Sequence, residues 1–278
     1  MGRWFAQFLL KEGNEVVITG RNQRKLLEAK QQLGIEVATN VEAVKNANVV
    51  LLSVPIDNFE GVVGQICPYL HPEQIIIDIT SIKVSPVEVM HRHIKTGLVL
   101  GTHPMFGPGA KGITNQNFVL TPTNDMEIAL AQKVKGYLEA RGARTMLMTP
   151  SEHDQVMSVV LGLCHFIALV SADTVLSLNR LEQTKAVGGI TYKLLLTLVE
   201  GVISEEPEFY ASLQMHLPNM IETEMLLQRR VKTWIDLVKN RDRQKFIHRM
   251  NNLKNRLKEE DPHFEKAYEN MYKLVEKL

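Results

Sequence analysis

Two unbroken apolar runs, Asn48 to Val54 (NVVLLSV) and Gln74 to Ile79 (QIIIDI), constrain this chain more than any other feature. A strand of that composition has no polar face, so both of its faces must be covered. Sheets covered on both sides are built mainly from parallel strands joined by helices. The flanking sequence fits that scheme. Glu15 to Thr19 (EVVIT) is a β-branched run, followed by a helical pattern over Gln23 to Leu33 that stops at Gly34. A short strand at Ile35 to Ala38 and a short helix at Val41 to Asn46 come next. Ser85-Pro86-Val87-Glu88 has the residues of a capping box with proline at the first helical position, which predicts a helix start there. Further strands are predicted at Leu98 to Thr102, Phe118 to Thr121 and Ala143 to Met148, with a helix over Asp125 to Arg141 before the last. The alternation predicts a largely parallel sheet with helices on both faces.

The pattern changes after Pro150. Ser151-Glu152-His153-Asp154 carries helix N-terminal residue types, and no strand pattern follows it. Helices are predicted at about 151–180, 183–204, 218–240, 242–259 and 262–277, with breaks at Gly188-Gly189 and Pro207. Around Phe166, Val170 and Asp173 to Leu178 the pattern is apolar on most sides, as in a helix buried in a bundle or a subunit interface. Two domains are expected, residues 1–150 and residues 151–278.

Composition narrows the function classes. The 278 residues are 45% hydrophobic and 23% charged, with a net charge of +1, so no broad basic face for nucleic acid is expected. Cys67 and Cys164 each lie among apolar residues without paired spacing, and read as reduced core residues of a cytoplasmic protein. No 18 consecutive residues are apolar, and MGRWFAQFLLKEG has no signal-peptide cleavage pattern, so neither a membrane span nor secretion is expected. His153 and His165 are about 18 Å apart along a helix, and His91 and His93 diverge on theirs, so no metal site is expected.

Candidate chemistry lies where the strands end. The segment GTHPMFGPG (Gly101 to Gly109) places His103 just past the apolar run Leu98 to Leu100, in a glycine- and proline-rich loop. DITSIK (Asp78 to Lys83) ends another run in the same way. A single such histidine reads equally well as a surface turn residue, but two loops at the carboxyl ends of strands suggest one active site. The N-terminus adds a second signal. Gly2 opens an amphipathic helix that ends at Gly13 and leads into EVVIT, so it occupies the place of the last glycine of G-x-G-x-x-G. The sequence is therefore expected to begin inside a dinucleotide-binding motif, without its first strand and first glycines. Strands lie about 4.8 Å apart, so removal of a central one leaves a gap that hydrogen bonds cannot close. After EVVIT come Arg21, Asn22 and Arg24, where an acidic residue would suit NAD and arginine suits the 2′-phosphate of NADP.

Taken in order, MGRWFAQFLLKEG, ITGRN, VVLLSVPID, IIIDITSIK, GTHPMFGPG, SEHDQVM and FYASLQM resemble the prephenate dehydrogenase family in its archaeal form, from Met1 to about Met215. The resemblance implies an α/β, Rossmann-like NAD(P)-binding domain followed by an all-helical dimerisation domain, acting as a homodimer. It implies oxidative decarboxylation of prephenate to 4-hydroxyphenylpyruvate for tyrosine biosynthesis, with NADP, or alternatively NAD, taking the hydride. On this reading His103 accepts the proton of the ring hydroxyl and Ser81 lies beside it. Ser53 and Pro55 line the cofactor cleft, His165 faces the substrate and His153 fixes the domain junction. Lys83 is either structural or phosphate-facing.

One departure bears on the substrate. Many bacterial members hold the substrate carboxylate with an arginine after the paired glycines, but ITYKLLLTLVEGVIS contains none. Lys193 is the stand-in cation, and Gln214 is expected to face the same pocket. A lysine point charge does not replace a guanidinium fork, so the choice between prephenate and its amino analogue arogenate stays open. Another two-domain NAD(P)-dependent dehydrogenase is a second reading, weakened because no lysine lies between Ser151 and Arg180. The third reading is a non-catalytic dimeric scaffold that has lost nucleotide binding with its first strand.

Overall fold

The two apolar runs become adjacent strands in a computed structural model of the chain, which describes residues 1–276. The first elements are α1 (Gly2–Lys11), β1 (Val17–Ile18), α2 (Gln23–Leu33), β2 (Glu36–Val37), α3 (Asn40–Asn46), β3 (Val49–Leu52) and α4 (Ile56–Ile66). They are followed by β4 (Ile75–Asp78), α5 (Val84–His93), β5 (Leu98–Pro104), β6 (Asn117–Thr121), α6 (Asp125–Glu139), β7 (Arg144–Leu147) and α7 (Pro150–Met157). One compact unit comprises Met1–Met157 with His216–Pro218.

Its main sheet runs β3-β4-β5-β6-β7, parallel except for the antiparallel pair β5–β6. The sheet is therefore mixed. Side chains alternate between two cores, as a doubly covered sheet requires. Leu52, Ile76 and Val99 pack with Phe59 and Val63 of α4 and Met90 of α5. Leu51, Ile77 and Leu100 pack on the other side with Phe5 of α1 and Leu130 of α6. β1 and β2 form a separate two-stranded parallel sheet. β1 and β3 are not paired with each other, and Val17 and Val49 on them are 44% and 51% exposed.

Local signals set several boundaries. Asn22 caps α2 by accepting from the Lys25 amide, and Gly34 ends that helix in the left-handed region at φ 66°. Thr39 and Glu42 form a capping box at α3. The box predicted at Ser85 does not form. α5 begins at Val84, and its first amides are taken instead by a carboxylate from far along the chain, Asp154. β5 also runs on through His103 to Pro104 because β6 pairs with it, Val119 opposite His103. His103 is thus a strand residue, not a loop residue.

Beneath the ends of β4 and β5 lies a buried ion pair. Lys83 Nζ donates to Asp78 Oδ2 and, at 2.7 Å, to the Thr102 carbonyl, and both charged side chains are fully buried. Burial pushes the Lys83 ammonium down and the Asp78 carboxyl up from their ordinary values, against the attraction of each for the other. Position 101 must be glycine here, since a Cβ would clash with Thr121 Oγ1 and lie 2.7 Å from Val87 Cγ2.

The second unit comprises Ser158–Met215 and the chain from Asn219 on. It contains a π-helical turn (Ser158–Leu163), α8 (Cys164–Ser177), α9 (Leu181–Val187), α10 (Ile190–Ile203), α11 (Pro207–His216), α12 (Met220–Lys239), α13 (Arg243–Glu260) and α14 (Ala267–Val275). The break at Gly188-Gly189 separates α9 from α10, and α11 is a helix where only a break at Pro207 was expected. Residue 277, the expected end of the last helix, lies outside the described residues. α10 packs on α8 and α14, and α12 on the π-helical turn and α13. Ala168, Ala172, Val199, Val202 and Leu213 are buried, whereas Leu176, Ile221, Ile235, Met250 and Leu253 are exposed. Cys164 is exposed too, contrary to the core reading, and Cys67 is half-buried.

The helical stretch Pro150–Ser177 is long and apolar enough to cross a membrane by length and composition alone, with a window of mean hydropathy 2.0. The expectation from unbroken apolar runs missed it, because isolated polar residues such as His165 and Ser171 interrupt the run without lowering its mean much. Only 17% of that window is buried.

Breaking the Lys83–Asp78 pair should be costly. Lys83→Met is expected to lower the unfolding free energy by about 3–5 kcal/mol, because it leaves a carboxylate buried alone. The double variant Asp78→Leu/Lys83→Met should recover much of that loss in urea denaturation. A double variant no more stable than the single one would contradict the assignment.

Candidate active site

The site in the first unit is built on His103. Strand β5 carries it on the same face as Val99 and Gly101 by alternation, toward α5 and α7. His103 Nδ1 lies 2.9 Å from Nε2 of His153, and His153 Nδ1 lies 2.7 Å from Asp154 Oδ1. Asp154 in turn accepts from the Lys83 amide at 2.7 Å and the Val84 amide at 2.9 Å. Thr149 and Glu152 cap the helix that carries His153 and Asp154, each bonding the other's backbone amide. All three side chains are buried, His153 completely.

This chain of bonds fixes where the protons sit. An ionised carboxylate only accepts, so His153 carries its proton on Nδ1 and has a lone pair on Nε2. His103 must then donate from Nδ1, which leaves its Nε2 as the unprotonated nitrogen. Among the described residues Nε2 makes no hydrogen bond, and it is not among the fully buried unpaired atoms, so it keeps contact with solvent. Burial holds His103 well below its ordinary pKa, and the nearby His153 and Lys83 push in the same direction. Burial likewise lowers His153, against the opposing pull of Asp154. Both imidazoles are neutral near pH 7, and His103 presents a proton acceptor.

Ser81 is half-buried in the turn after β4, and its hydroxyl makes no hydrogen bond among the described residues. The β4–β5 pairing ends at Asp78 and Gly101, so Ser81 and His103 both lie just beyond it, Ser81 in a turn and His103 still within β5. Lys83 faces the buried Asp78 and is structural, not phosphate-facing. His153, expected at a domain junction, is the partner of His103.

Gly2 and Ser53 are brought together at the start of α1. A Cβ on Gly2 would lie 3.3 Å from Ser53 Oγ, so glycine permits this close approach. Among the described residues no side chain caps the first turn of α1, whose amides suit an anionic phosphate. A pyridine nucleotide fits that arrangement. Trp4 anchors the same helix to the loop after β5 by donating to the Ala110 carbonyl at 2.7 Å and packing on Phe106. Pro55 stands exposed at the start of α4. Arg21 is exposed in the turn between β1 and α2, whereas Asn22 is committed to capping α2 and Arg24 lies 3.6 Å from Glu28 on the surface.

In the second unit, His165 on α8 packs against Tyr210 of α11, and Gln214 donates to the Gly162 carbonyl at 3.0 Å. Lys193 is exposed on α10, with no partner for its ammonium among the described residues. Asp154 is the main functional residue that reading the sequence missed. It sat inside a helix-start signature, and nothing local signals that it reaches Lys83 and Val84, 71 and 70 positions away. Among the described residues no three His, Cys, Asp or Glu side chains are grouped as a metal would need.

The sequence matches the nucleotide-binding domain of prephenate dehydrogenase over residues 5–147 and its dimerization domain over residues 149–252. It is 33% identical over 251 residues to a probable arogenate/prephenate dehydrogenase of Methanocaldococcus jannaschii, covering 89% of this chain and 56% of that protein. It is 26% identical to the T-protein of Haemophilus influenzae, covering 89% of this chain and 62% of that one. The chain thus spans a little over half the length of these relatives. The fold is that of the prephenate dehydrogenase from A. aeolicus solved with hydroxyphenyl propionate and NAD+, at a TM-score of 0.78 and 20% identity, covering 94% of this chain and 95% of that one. Synechocystis arogenate dehydrogenase superposes with a TM-score of 0.68 at 20% identity, covering 93% and 95%. On its nucleotide-binding and dimerization domains together, this chain belongs to the prephenate dehydrogenase family.

Proposed function

We propose that this protein oxidises and decarboxylates a cyclohexadienyl substrate of the prephenate or arogenate type, with NADP as hydride acceptor. The observation that carries this reading is the bare Nε2 of His103, oriented by His153 and Asp154. The relative named a probable arogenate/prephenate dehydrogenase supports the substrate class, and the NAD+ complex of the structural neighbour supports a pyridine nucleotide. The exposed Arg21 supports the 2′-phosphate of NADP. Residues 1–150 are assigned to nucleotide binding and 151–278 to substrate recognition and pairing with a second copy. The match to a dimerization domain and the exposed apolar residues of α12 and α13 support a homodimer.

A nicotinamide held by these residues would accept, as hydride, the hydrogen on the hydroxyl-bearing ring carbon. His103 Nε2 draws off the hydroxyl proton as that hydrogen leaves. The bond between the opposite ring carbon and its carboxylate then breaks, releasing carbon dioxide. The electron pair runs through the ring to the oxygen, which takes the proton back from His103. A histidine whose protonated form is disfavoured by burial returns that proton readily. Ser81, with its hydroxyl uncommitted, is assigned to orient the reacting groups, and Gly2 with the first turn of α1 to hold the pyrophosphate.

Three substitutions test the assignment. His103→Ala is expected to lower kcat by about 10²–10⁴-fold with nucleotide affinity nearly unchanged. The wild-type kcat/KM should stay level on the acid side to lower pH than an ordinary histidine allows, because the folded pKa is depressed. Asp154→Asn, which allows the wrong His153 tautomer, should reduce kcat by about 10²-fold or more. A purely structural Asp154 would instead show up as a lower melting temperature with kcat intact in the folded fraction. Arg21→Asp should weaken NADP about tenfold or more relative to NAD; an unchanged ratio in nucleotide titrations would exclude the 2′-phosphate role.

A further inference from the structure

The loop after β5, residues 105–116, is pinned on either side of one lysine. On the near side, the Ala110 amide donates to the Gly107 carbonyl at 3.1 Å and closes a turn, while the Ala110 carbonyl accepts from Trp4 Nε1 at 2.7 Å. Both backbone groups of Ala110 are therefore committed. On the far side, Ile113 is buried in the core that also holds Phe5 of α1. Phe106, three residues past His103, packs edge-on against Trp4 at 4.9 Å between centroids and against Phe118 of β6 at 5.4 Å. Lys111 lies between these anchors. Its backbone is held in place, yet its side chain is exposed and its ammonium has no hydrogen-bond or ion-pair partner among the described residues.

The anchor on α1 sets where that ammonium can go. Side chains on a helix lean back toward its N-terminus. The indole of Trp4, in the first turn of α1, thus reaches toward the start of the helix, and the Ala110 carbonyl it holds lies beside that turn. Lys111 follows Ala110 directly, and its four-carbon stem spans roughly 6 Å when extended. A cation is thereby brought within reach of the phosphate assigned to the opening amides of α1. The first turn of α1 carries no acidic residue to compete for it, and the turn's own cation, Arg3, donates to Gln32 of α2. The helix end supplies only about half a positive charge, whereas a dinucleotide carries a negative charge on each phosphate of its bridge. Arg21 stands beyond β1, at the place assigned to the 2′-phosphate.

We propose that Lys111 is a further cofactor-binding residue, held beside α1 by the bond between Trp4 and Ala110 and pairing with the pyrophosphate of the nucleotide. This inference rests on the nucleotide-binding reading above. Trp4 is a positioning residue, because its N–H fixes the turn from which the lysine extends. The pyrophosphate is common to NAD and NADP, so Lys111 strengthens both alike and leaves the choice between them to other residues.

The test is calorimetric titration of NADP and of NAD into the wild-type protein, Lys111→Met and Lys111→Arg. Lys111→Met should weaken both nucleotides about tenfold, by factors that agree within about twofold, and Lys111→Arg should recover most of the loss. Trp4→Phe keeps the ring packing and removes the N–H. It should weaken both nucleotides about threefold when Lys111 is present and by less than about 1.5-fold when Lys111 is already Met, as expected of an effect that acts through the lysine. Unchanged affinity in Lys111→Met, or a loss confined to NADP, would overturn the inference and leave the dehydrogenase reading standing. Equal weakening by Trp4→Phe in both backgrounds would overturn its positioning role. A wild-type protein that binds neither nucleotide would remove the inference and that reading together.

Discussion

The candidate active site depends on one carboxylate. Asp154 takes the two amides that open α5, and the same side chain holds His153. A negative charge is favoured at a helix N-terminus, where unpaired amides and the helix dipole both point at it. α5 has no side-chain cap of its own, so Asp154 both starts that helix and sets the tautomer of a histidine on another. Position and protonation are therefore coupled through one group, and His103 inherits both from it.

The surroundings of that group keep the imidazoles uncharged. Burial is the main cause for both; the Lys83 ammonium adds to it, while Asp78 and Asp154 pull His153 the other way. A buried pair such as Lys83 and Asp78 adds little net stability compared with apolar packing. What it contributes here is a fixed anchor beneath the ends of β4 and β5, since the Lys83 ammonium also holds the Thr102 carbonyl next to His103. A base in such a place binds a proton only briefly, which suits a reaction that borrows a proton and returns it.

Much of the first unit was legible in the sequence because its signals are local. Unbroken apolar runs marked β3 and β4, and the helical pattern ending at Gly34 marked α2, although Asn22, read as a cofactor contact, turned out to cap it. Where a distant partner decides the outcome, the reading failed. Ser85 yielded its capping role to Asp154, and His103 moved from loop to strand because β6 pairs with it in antiparallel fashion. Of the site, the individual residues His103 and Ser81 could be picked out beside their strand ends, but the link from His103 to Asp154 could not. In the helical unit, Gly188-Gly189 was readable as a break, whereas α11 was hidden because Pro207 can start a helix as well as end one. The apolar texture of Pro150–Ser177 was visible, but composition alone does not say whether another helix, a second subunit or lipid covers such a surface.

The bare Cα at position 101 has an evolutionary consequence. Thr121 and Val87 already fill the space that a methyl group there would need, and the Thr121 hydroxyl bonds the Gly101 carbonyl across the antiparallel pair. A larger residue at 101 is tolerable only after both neighbours have become smaller, and each of those steps opens a hole in the floor beneath the histidine. The order of substitution is therefore constrained. In this protein a side chain at 101 has to follow, not precede, changes at Thr121 and Val87.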